Sequence, residues 1–170
     1  MAIMKSINSV SLLLLLLLLP LQARALSGDR EQPIYLEADS VEIDEASGVS
    51  VYIGNVVVSQ GSMRLEADKM WIHRRQGETE KIVAVGKPVR FRQQMDKSHE
   101  EARGHALKIT YFIKKDEIYL FDEAVLQQGK DEFSSDRITY LRSRSLVKAG
   151  ASAQGKQRVR VVIESQKHDQ

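Results

Sequence analysis

Apolar and polar residues alternate along most of this chain, which is the pattern of half-buried β-strands. In Ser40–Asp44 and Gly48–Ile53 the odd-numbered apolar residues share one face, which we assign to the interior. Their neighbours Glu42, Asp44 and Ser50 are then expected on the outer face. Turn-forming residues separate such segments at intervals of about ten residues, which predicts an all-β sandwich, barrel or roll.

The chain also repeats part of this pattern. Tyr52–Gly61 returns in altered form as Leu120–Gly129, 68 positions later. The match extends to both sides, where Val41, Ile43, Val51, Leu65, Asp68, Met70, Ile72 and Arg74 correspond to Ile109, Tyr111, Tyr119, Phe133, Asp136, Ile138, Tyr140 and Arg142. A repeated β unit indicates two stacked copies that share one continuous apolar interior.

The apolar residues of the predicted inner face come from many strands. They are Ile34, Leu36, Val41, Ile43, Val51, Ile53, Val58, Leu65, Met70, Ile72, Phe91, Ile109, Tyr111, Leu126, Phe133, Ile138 and Tyr140. From the alternation alone, the simplest interpretation of such a face is a closed core. Strands predicted around Ile34–Leu36 and Val159–Ile163 leave the two ends of the sheet as open edges, and Asp96–Gly104 is predicted to be a polar hairpin connection.

The first 25 residues have the composition of an export signal. Lys5 supplies the charged start, Val10–Leu19 the apolar stretch, and Ala23-Arg24-Ala25 a cleavage site. The apolar run is shorter than the roughly 20 residues that a membrane-spanning helix needs. Residues 26–164 then form the predicted β domain, and 165–170 form a polar tail. The alternative is an uncleaved N-terminal helix that anchors the chain in a membrane.

Charge and composition exclude several kinds of function. Loss of Lys5 and Arg24 with the signal leaves 23 basic residues, which equals the number of acidic ones. A neutral chain gives no reason to expect a nucleic-acid partner. The absence of cysteine excludes disulfides, thiol nucleophiles and cysteine-based metal sites. Because the four histidines are scattered along the sequence, we predict no metal site and no cofactor.

A set of motifs, in a fixed order along the chain, resembles the OstA-like family. The motifs are Gln32-Pro33-Ile34, Leu36-Glu37-Ala38-Asp39, Gly54–Gly61, Leu65-Glu66-Ala67-Asp68, Gly86-Lys87-Pro88 and Asp136-Arg137-Ile138-Thr139-Tyr140. The resemblance covers nearly all of the chain that follows the signal. It implies an open, twisted antiparallel β-jellyroll built from the repeated unit, located in the periplasm and without enzymatic activity.

The resemblance also implies a cargo and partners. Members of the family carry lipopolysaccharide, so the inner-face residues given above are expected to contact the acyl chains of lipid A. An inner-membrane anchored export component and an outer-membrane export component are the implied protein partners, together with head-to-tail self-association through the terminal strands. The residues expected at these partner edges are Ile34, Tyr35, Leu36, Val159, Val161 and Ile163.

Other motifs give weaker indications. Gly150–Gln157 resembles a phosphate-binding loop, but Gln157 replaces the required Ser or Thr, and the predicted following element is a strand and not a helix. No Ser-His-acid arrangement follows from spacing, so we predict a carrier and not an enzyme. One alternative is an inner-membrane anchored relative of the same export pathway with an uncleaved N-terminal helix. The other is a secreted polysaccharide-active enzyme, which would need a cleft with paired carboxylates.

Basic residues form four short clusters. These are Arg74-Arg75, Arg90 with Arg92, Arg142 with Arg144, and Lys156 with Arg158 and Arg160. Because a guanidinium matches phosphate with two parallel hydrogen bonds, the clusters are candidates for the phosphates of lipopolysaccharide. The simpler interpretation is that they keep strand edges and outer faces soluble.

Overall fold

The structure is a computed structural model and describes residues 29–95, 100–150 and 158–163. Ten antiparallel strands in these ranges form one sheet in the order β1-β3-β4-β5-β6-β7-β8-β10, with β2 paired to β3 and β9 paired to β8. The strands are β1 Tyr35–Glu37, β2 Ser40–Asp44, β3 Val49–Gln60, β4 Met63–Arg75, β5 Glu78–Gln94, β6 Glu101–Phe112, β7 Glu117–Gln128, β8 Asp131–Leu141, β9 Leu146–Ala149 and β10 Arg160–Val162. The predicted open, antiparallel all-β fold is confirmed.

Two short helical turns accompany the strands in the described ranges. Asp29–Glu31 and Arg142–Arg144 form 3-10 helices. In the part of the chain that is described, no helix is long and apolar enough to cross a bilayer. The predicted export signal and the predicted tail 165–170 lie outside the described residues, as does most of the segment that resembles a phosphate loop.

A line of irregularities crosses the long strands and divides the sheet. The register shifts between Ile53 and Val56, between Val85 and Val89, and between Phe121 and Ala124. Bulges of this kind bend a strand and increase its local twist. We call the part formed by β2, β9, 49–53, 69–75, 78–85, 108–112, 117–121 and 137–141 the first half-sheet. The second half-sheet contains β1, β10, 56–60, 63–67, 89–94, 101–106, 124–128 and 131–135.

The structure confirms the internal repeat. β3 begins and ends 68 positions before β7, and the backbone reproduces the same irregularities at the same offset. Gly54 has φ +80° and its counterpart Asp122 has φ +62°, while the two turn glycines Gly61 and Gly129 have φ +58° and +59°. The two copies therefore bend at corresponding positions.

The register places the first part of β3, residues 49–53, with its faces opposite to those predicted. Ser50 pairs with Ile72 and Tyr52 with Met70, which belongs to the buried cluster, so the even-numbered residues point inward. The prediction that Val51 and Ile53 face the interior, and that Ser50 faces outward, is wrong. Apolar residues occupy both faces of this strand, so alternation alone could not tell which face the fold would bury.

The connection between β5 and β6 is shorter than predicted. Its polar segment was expected to extend from Asp96 to Gly104, whereas β6 already begins at Glu101. Ala102, Gly104 and Ala106 alternate with longer polar residues along the start of this strand. Because small inward residues add little to an apolar pattern, the sequence conceals a strand here.

Gly54 provides a test of the bend. A Cβ at this position would collide with the carboxylate of Asp39, and the backbone has φ +80°. We expect Gly54→Ala to lower the free energy of unfolding, measured in urea, by roughly 2 kcal/mol or more, because it combines backbone strain with the loss of the Asn55–Asp39 hydrogen bond. Gly77→Ala is the matched control, since Gly77 has φ +81° and nothing within 4 Å of the added carbon. Gly77→Ala should lower the free energy of unfolding by about 1 kcal/mol. Equal losses in both variants would show that the close approach of Asp39 to Gly54 does not contribute to stability.

Candidate functional site

The inner face consists of rows of apolar side chains that run across the strands. One row of the first half-sheet contains Tyr52, Met70, Ala84, Ile109, Leu120, Ile138 and Ala149. A row of the second half-sheet contains Leu36, Val58, Leu65, Phe91, Gly104, Leu126, Phe133 and Val161. Most of these side chains belong to one buried cluster, so the two half-sheets share a single interior.

Contacts between residues of different half-sheets show that the half-sheets pack face to face. The rings of Phe91 and Tyr140 lie 6.2 Å apart at an interplanar angle of 44°, although the two residues belong to different half-sheets. A Cβ at Gly104 would lie 3.1 Å from the Cδ2 atom of Leu120, so glycine leaves the space that this leucine fills. The interior is therefore packed by its own side chains and is not hollow.

The predicted inner-face residues fall into distinct groups. Nine are buried in the shared interior: Val58, Leu65, Met70, Phe91, Ile109, Tyr111, Leu126, Ile138 and Tyr140. Leu36, Ile72 and Phe133 pack against this cluster and are half-buried. Val41 and Ile43 lie on the inner face but at the exposed edge strand β2, with 54% and 56% of their surface accessible. Ile34 precedes β1 and is exposed, and Val51 and Ile53 lie on the outer face.

Sequence reasoning also missed part of the interior. The residues omitted from the prediction include Val56, Met63, Ala67, Ile82, Ala84, Val89, Ala102, Ala106, Ile118, Leu120 and Ala124, all buried. At the 68-residue offset Ile118 and Leu120 correspond to Ser50 and Tyr52. Because Ser50 was predicted to face outward, the repeat gave no correct signal for these two residues. The alanines carry no such signal, since they look neutral in an apolar pattern.

A network of buried polar side chains joins the two half-sheets. Arg142 follows β8 in the first half-sheet, and its Nε donates to Oε1 of Gln93 in the second at 2.6 Å. Its Nη1 lies 3.2 Å from Oδ1 of Asp116 and also donates to the hydroxyl of Tyr111. The side chains of Arg142 and Asp116 are only 3% and 5% exposed. We call Arg142, Asp116, Tyr111 and Gln93 the clasp.

The start of the described chain extends the clasp. Asp29 accepts hydrogen bonds from the backbone and hydroxyl of Ser62 and, at 3.1 Å, from Nε2 of Gln93. Burial alone would raise the pKa of Asp29, but these hydrogen bonds and the charge of Arg142 outweigh it and lower the pKa below its ordinary value. The carboxylate therefore stays ionised and holds the 3-10 helix against the end of the second half-sheet.

The predicted partner edges lie at both ends of the sheet. Tyr35 and Leu36 belong to β1, Val161 belongs to β10, and Val159 and Ile163 flank β10, while Ile34 precedes β1. These strands are edges of the second half-sheet only. The first half-sheet has edges that were not predicted, and these are formed by β2 and β9. All four edge strands leave one side free for pairing with another chain.

The predicted basic clusters do not form one surface. Arg74, Arg75, Arg90, Arg92, Arg144, Arg158 and Arg160 are exposed, whereas Arg142 is buried in the clasp and Lys156 lies outside the described residues. Desolvation and the nearby Lys81 lower the pKa of His73. Among the described residues, no group of three or more His, Cys, Asp or Glu side chains could hold a metal ion.

Comparison with known proteins places this fold in a family. The profile of the family described as LptA/(LptD N-terminal domain) LPS transport protein matches residues 35–145. The chain belongs to this family. It is 37% identical over 129 residues to the lipopolysaccharide export system protein LptH of Pseudomonas aeruginosa, covering 75% of this chain and 74% of that protein. It is 36% identical over 156 residues to LptA of Escherichia coli strain K12, covering 91% and 83%.

A solved structure of the same family agrees with the fold. The crystal structure of LptH, described as the LptA homologous periplasmic component of the lipopolysaccharide transport device of Pseudomonas aeruginosa, superposes with a TM-score of 0.77 at 33% identity. It covers 82% of this chain and all of the LptH chain. A further relative, the LPS-assembly protein LptD of Vibrio cholerae, is 34% identical over 90 residues, which is 10% of its length. The OstA-like assignment made from the motifs is confirmed.

The clasp generates a prediction for this family member. Arg142→Met leaves the Asp116 carboxylate buried without the guanidinium beside it, which should lower the free energy of unfolding by about 3–5 kcal/mol. The double variant Arg142→Met with Asp116→Asn removes both charges, and asparagine tolerates the positive φ of position 116. We therefore expect the double variant to recover much of the loss in urea unfolding. A double variant no more stable than Arg142→Met alone would contradict the importance of the ion pair.

Proposed function

We propose that this chain is a periplasmic carrier of lipopolysaccharide that holds lipid A acyl chains between its two half-sheets. The main support for this proposal is the continuous apolar inner face of an unclosed sheet. Val41 and Ile43 are exposed where this face reaches the edge. Membership of a lipopolysaccharide transport family supports the nature of the cargo. A carrier of this kind needs no catalytic group, so we propose no enzymatic activity.

The packed interior sets a condition on binding. Leu120, Ile138 and their neighbours already bury one another, so acyl chains would have to enter by separating the half-sheets. The separated faces would then contact hydrocarbon in place of each other, which keeps them out of water. Burial of a methylene contributes about 0.8 kcal/mol, so a 12-carbon chain gains roughly 10 kcal/mol before the costs of opening. Entry from the β2 side leaves the clasp intact, because the clasp joins β5 to the turns that follow β6 and β8.

Transfer of the cargo imposes a second condition. Release of an acyl chain into water would lose the whole of this gain, whereas movement into a similar apolar groove would cost little. A chain that passes lipid onward therefore requires a partner with a comparable interior aligned with its own. The relation to LptD, named as an assembly protein, supports an outer-membrane partner of related fold. An inner-membrane anchored component is the corresponding proposal at the other end.

Adjacent residues of β3 test the inner-face assignment. Tyr52 points into the interior beside Met70, whereas Val51 lies on the outer face beside Trp71. A photo-crosslinking amino acid at Tyr52 should capture lipopolysaccharide in an envelope extract, and the same amino acid at Val51 should capture little. Ile72 and Trp71 form a second matched pair on β4. Equal capture at inner and outer positions, identified by immunoblot and mass spectrometry, would contradict the proposed groove.

Unpaired edges support the proposal of end-to-end assembly. An edge strand presents unpaired backbone groups that can pair with a second chain and extend the sheet. Head-to-tail pairing of this kind does not close on itself, so assemblies of variable length are expected. Joined sheets would also align their interiors, which meets the condition for transfer.

The terminal strand β10 offers a test of assembly. Val161 pairs with Phe133 on one side, and its strand is an edge. Val161→Pro removes a backbone donor and should weaken self-association while leaving the interior folded, because this short strand is exposed. Sedimentation velocity over a range of concentrations measures the effect, with Val161→Thr as the control that keeps the backbone donor. An unchanged distribution of oligomers in Val161→Pro would refute a role for this edge.

A further inference from the structure

The outer face of the first half-sheet carries a second chemical character, opposite to the interior. Phe112, Tyr119 and Phe121 lie there on neighbouring strands, in the rows that contain Lys81, Thr110 and Lys108. Phe112 and Tyr119 meet edge to face at 5.4 Å, and Tyr119 stacks on Phe121 at 6.2 Å with an interplanar angle of 11°. The three half-buried rings form a contiguous aromatic cluster.

Cations surround these rings without being neutralised. The Arg137 guanidinium carbon lies 5.4 Å from the Tyr119 ring and 5.3 Å from the Phe121 ring. Lys108 and Lys115 lie 5.7 Å and 5.5 Å from the rings of Phe121 and Phe112. Within the described part of the chain, none of these three cations forms an ion pair with a carboxylate. A cation held by a ring keeps its charge and its hydrogen-bond donors available.

The one carboxylate among these rows is already engaged. Oε2 of Glu117 accepts a hydrogen bond of 2.7 Å from the hydroxyl of Tyr119. This hydrogen bond raises the pKa of Tyr119, whose hydroxyl therefore remains a donor to Glu117. This part of the outer face thus retains an excess of positive charge, which Lys81, Lys108, Lys115 and Arg137 supply.

The rings and the four cations line an open concavity of about 390 Å³, together with Val83 and Thr110. Its size lies within the range of small-molecule sites and far exceeds a single phosphate. The outer face of the second half-sheet has a concavity of about 520 Å³ that also contains arginines. There, however, Arg64 pairs with Glu66 and Arg103 pairs with Glu101 at 2.8 and 2.7 Å. The charge available for a ligand is therefore greater on the first half-sheet.

We propose that this concavity is a binding site for a phosphorylated saccharide, separate from the acyl-chain interior. The Arg137 guanidinium and the ammonium groups of Lys81, Lys108 and Lys115 would donate to phosphate oxygens. The apolar face of a sugar ring would pack against the aromatic cluster by dispersion. A flat bilayer surface fits a concave site poorly, so a protruding sugar phosphate is favoured over a membrane. Because the site lies on the outer face, its ligand does not require the half-sheets to separate.

Titration with a sugar phosphate that lacks acyl chains tests the site. Glucosamine 1-phosphate added to the isotopically labelled chain should cause saturable NMR shifts at Lys108, Thr110, Tyr119 and Arg137. Arg137→Gln and Lys108→Gln should each weaken binding about tenfold, because each removes a charged donor. Lys114→Gln is the matched control: it removes the same charge from the neighbour of Lys115, but Lys114 pairs with Glu78 at 2.8 Å. Its affinity should be unchanged.

Three further ligands separate the sources of the anion. Inorganic phosphate and unphosphorylated glucosamine should each bind at least tenfold more weakly than the sugar phosphate. Phosphate binding as tightly as the sugar phosphate would overturn saccharide recognition. Saturable binding to phosphatidylglycerol vesicles that is lost in Arg137→Gln, without binding of the sugar phosphate, would assign the face to a membrane and overturn the proposal. Equal affinities of Arg137→Gln, Lys108→Gln and the unaltered chain, each shown by urea unfolding to be folded, would also overturn it.

Discussion

A single twisted sheet has one extended apolar face and no second layer to cover it. The chain meets this constraint by folding the sheet onto itself along the line of bulges that crosses β3 to β8. Residues with positive φ, such as Gly54 and Asp122, permit the bend at equivalent places in the two repeats. The remaining features depend on this bend, because it decides which side chains meet and leaves β1, β2, β9 and β10 as unpaired edges.

Two kinds of contact then hold the half-sheets together, and a hydrophobic ligand would affect them differently. The contact between Phe91 and Tyr140 is apolar, and a hydrocarbon chain could replace either partner. The clasp is directional, because the Arg142 guanidinium needs the oxygens of Asp116 and Gln93, which a hydrocarbon cannot provide. An interior fastened in this way would open on its unclasped side and keep its alignment on the other.

Much of the fold could be predicted from the sequence, because the repeat and the alternation are both local patterns. The antiparallel sheet, its repeat and the family follow from segments such as Tyr52–Gly61 and its copy Leu120–Gly129. Which face of β3 points inward could not be predicted, since Val51 and Tyr52 are both apolar enough for either face. The clasp was also beyond reach, because Gln93 and Arg142 meet only after the bend brings distant strand ends together. Arg142 and Arg144 look alike in the sequence, because proximity along the chain does not reveal that Arg142 is buried and Arg144 is exposed.

Comparison of the two repeats explains how one sheet can carry two different surfaces. On the inner face, Tyr52, Met70 and Ile72 correspond to Leu120, Ile138 and Tyr140, so these positions stay apolar in both copies. On the outer face, Val51 and Ile53 correspond to Tyr119 and Phe121. Burial limits what the inner positions accept, because each must fill space beside its neighbours without an unpaired polar atom. The outer positions have no such limit, so the second repeat could gain rings and cations there while the inner positions stayed apolar.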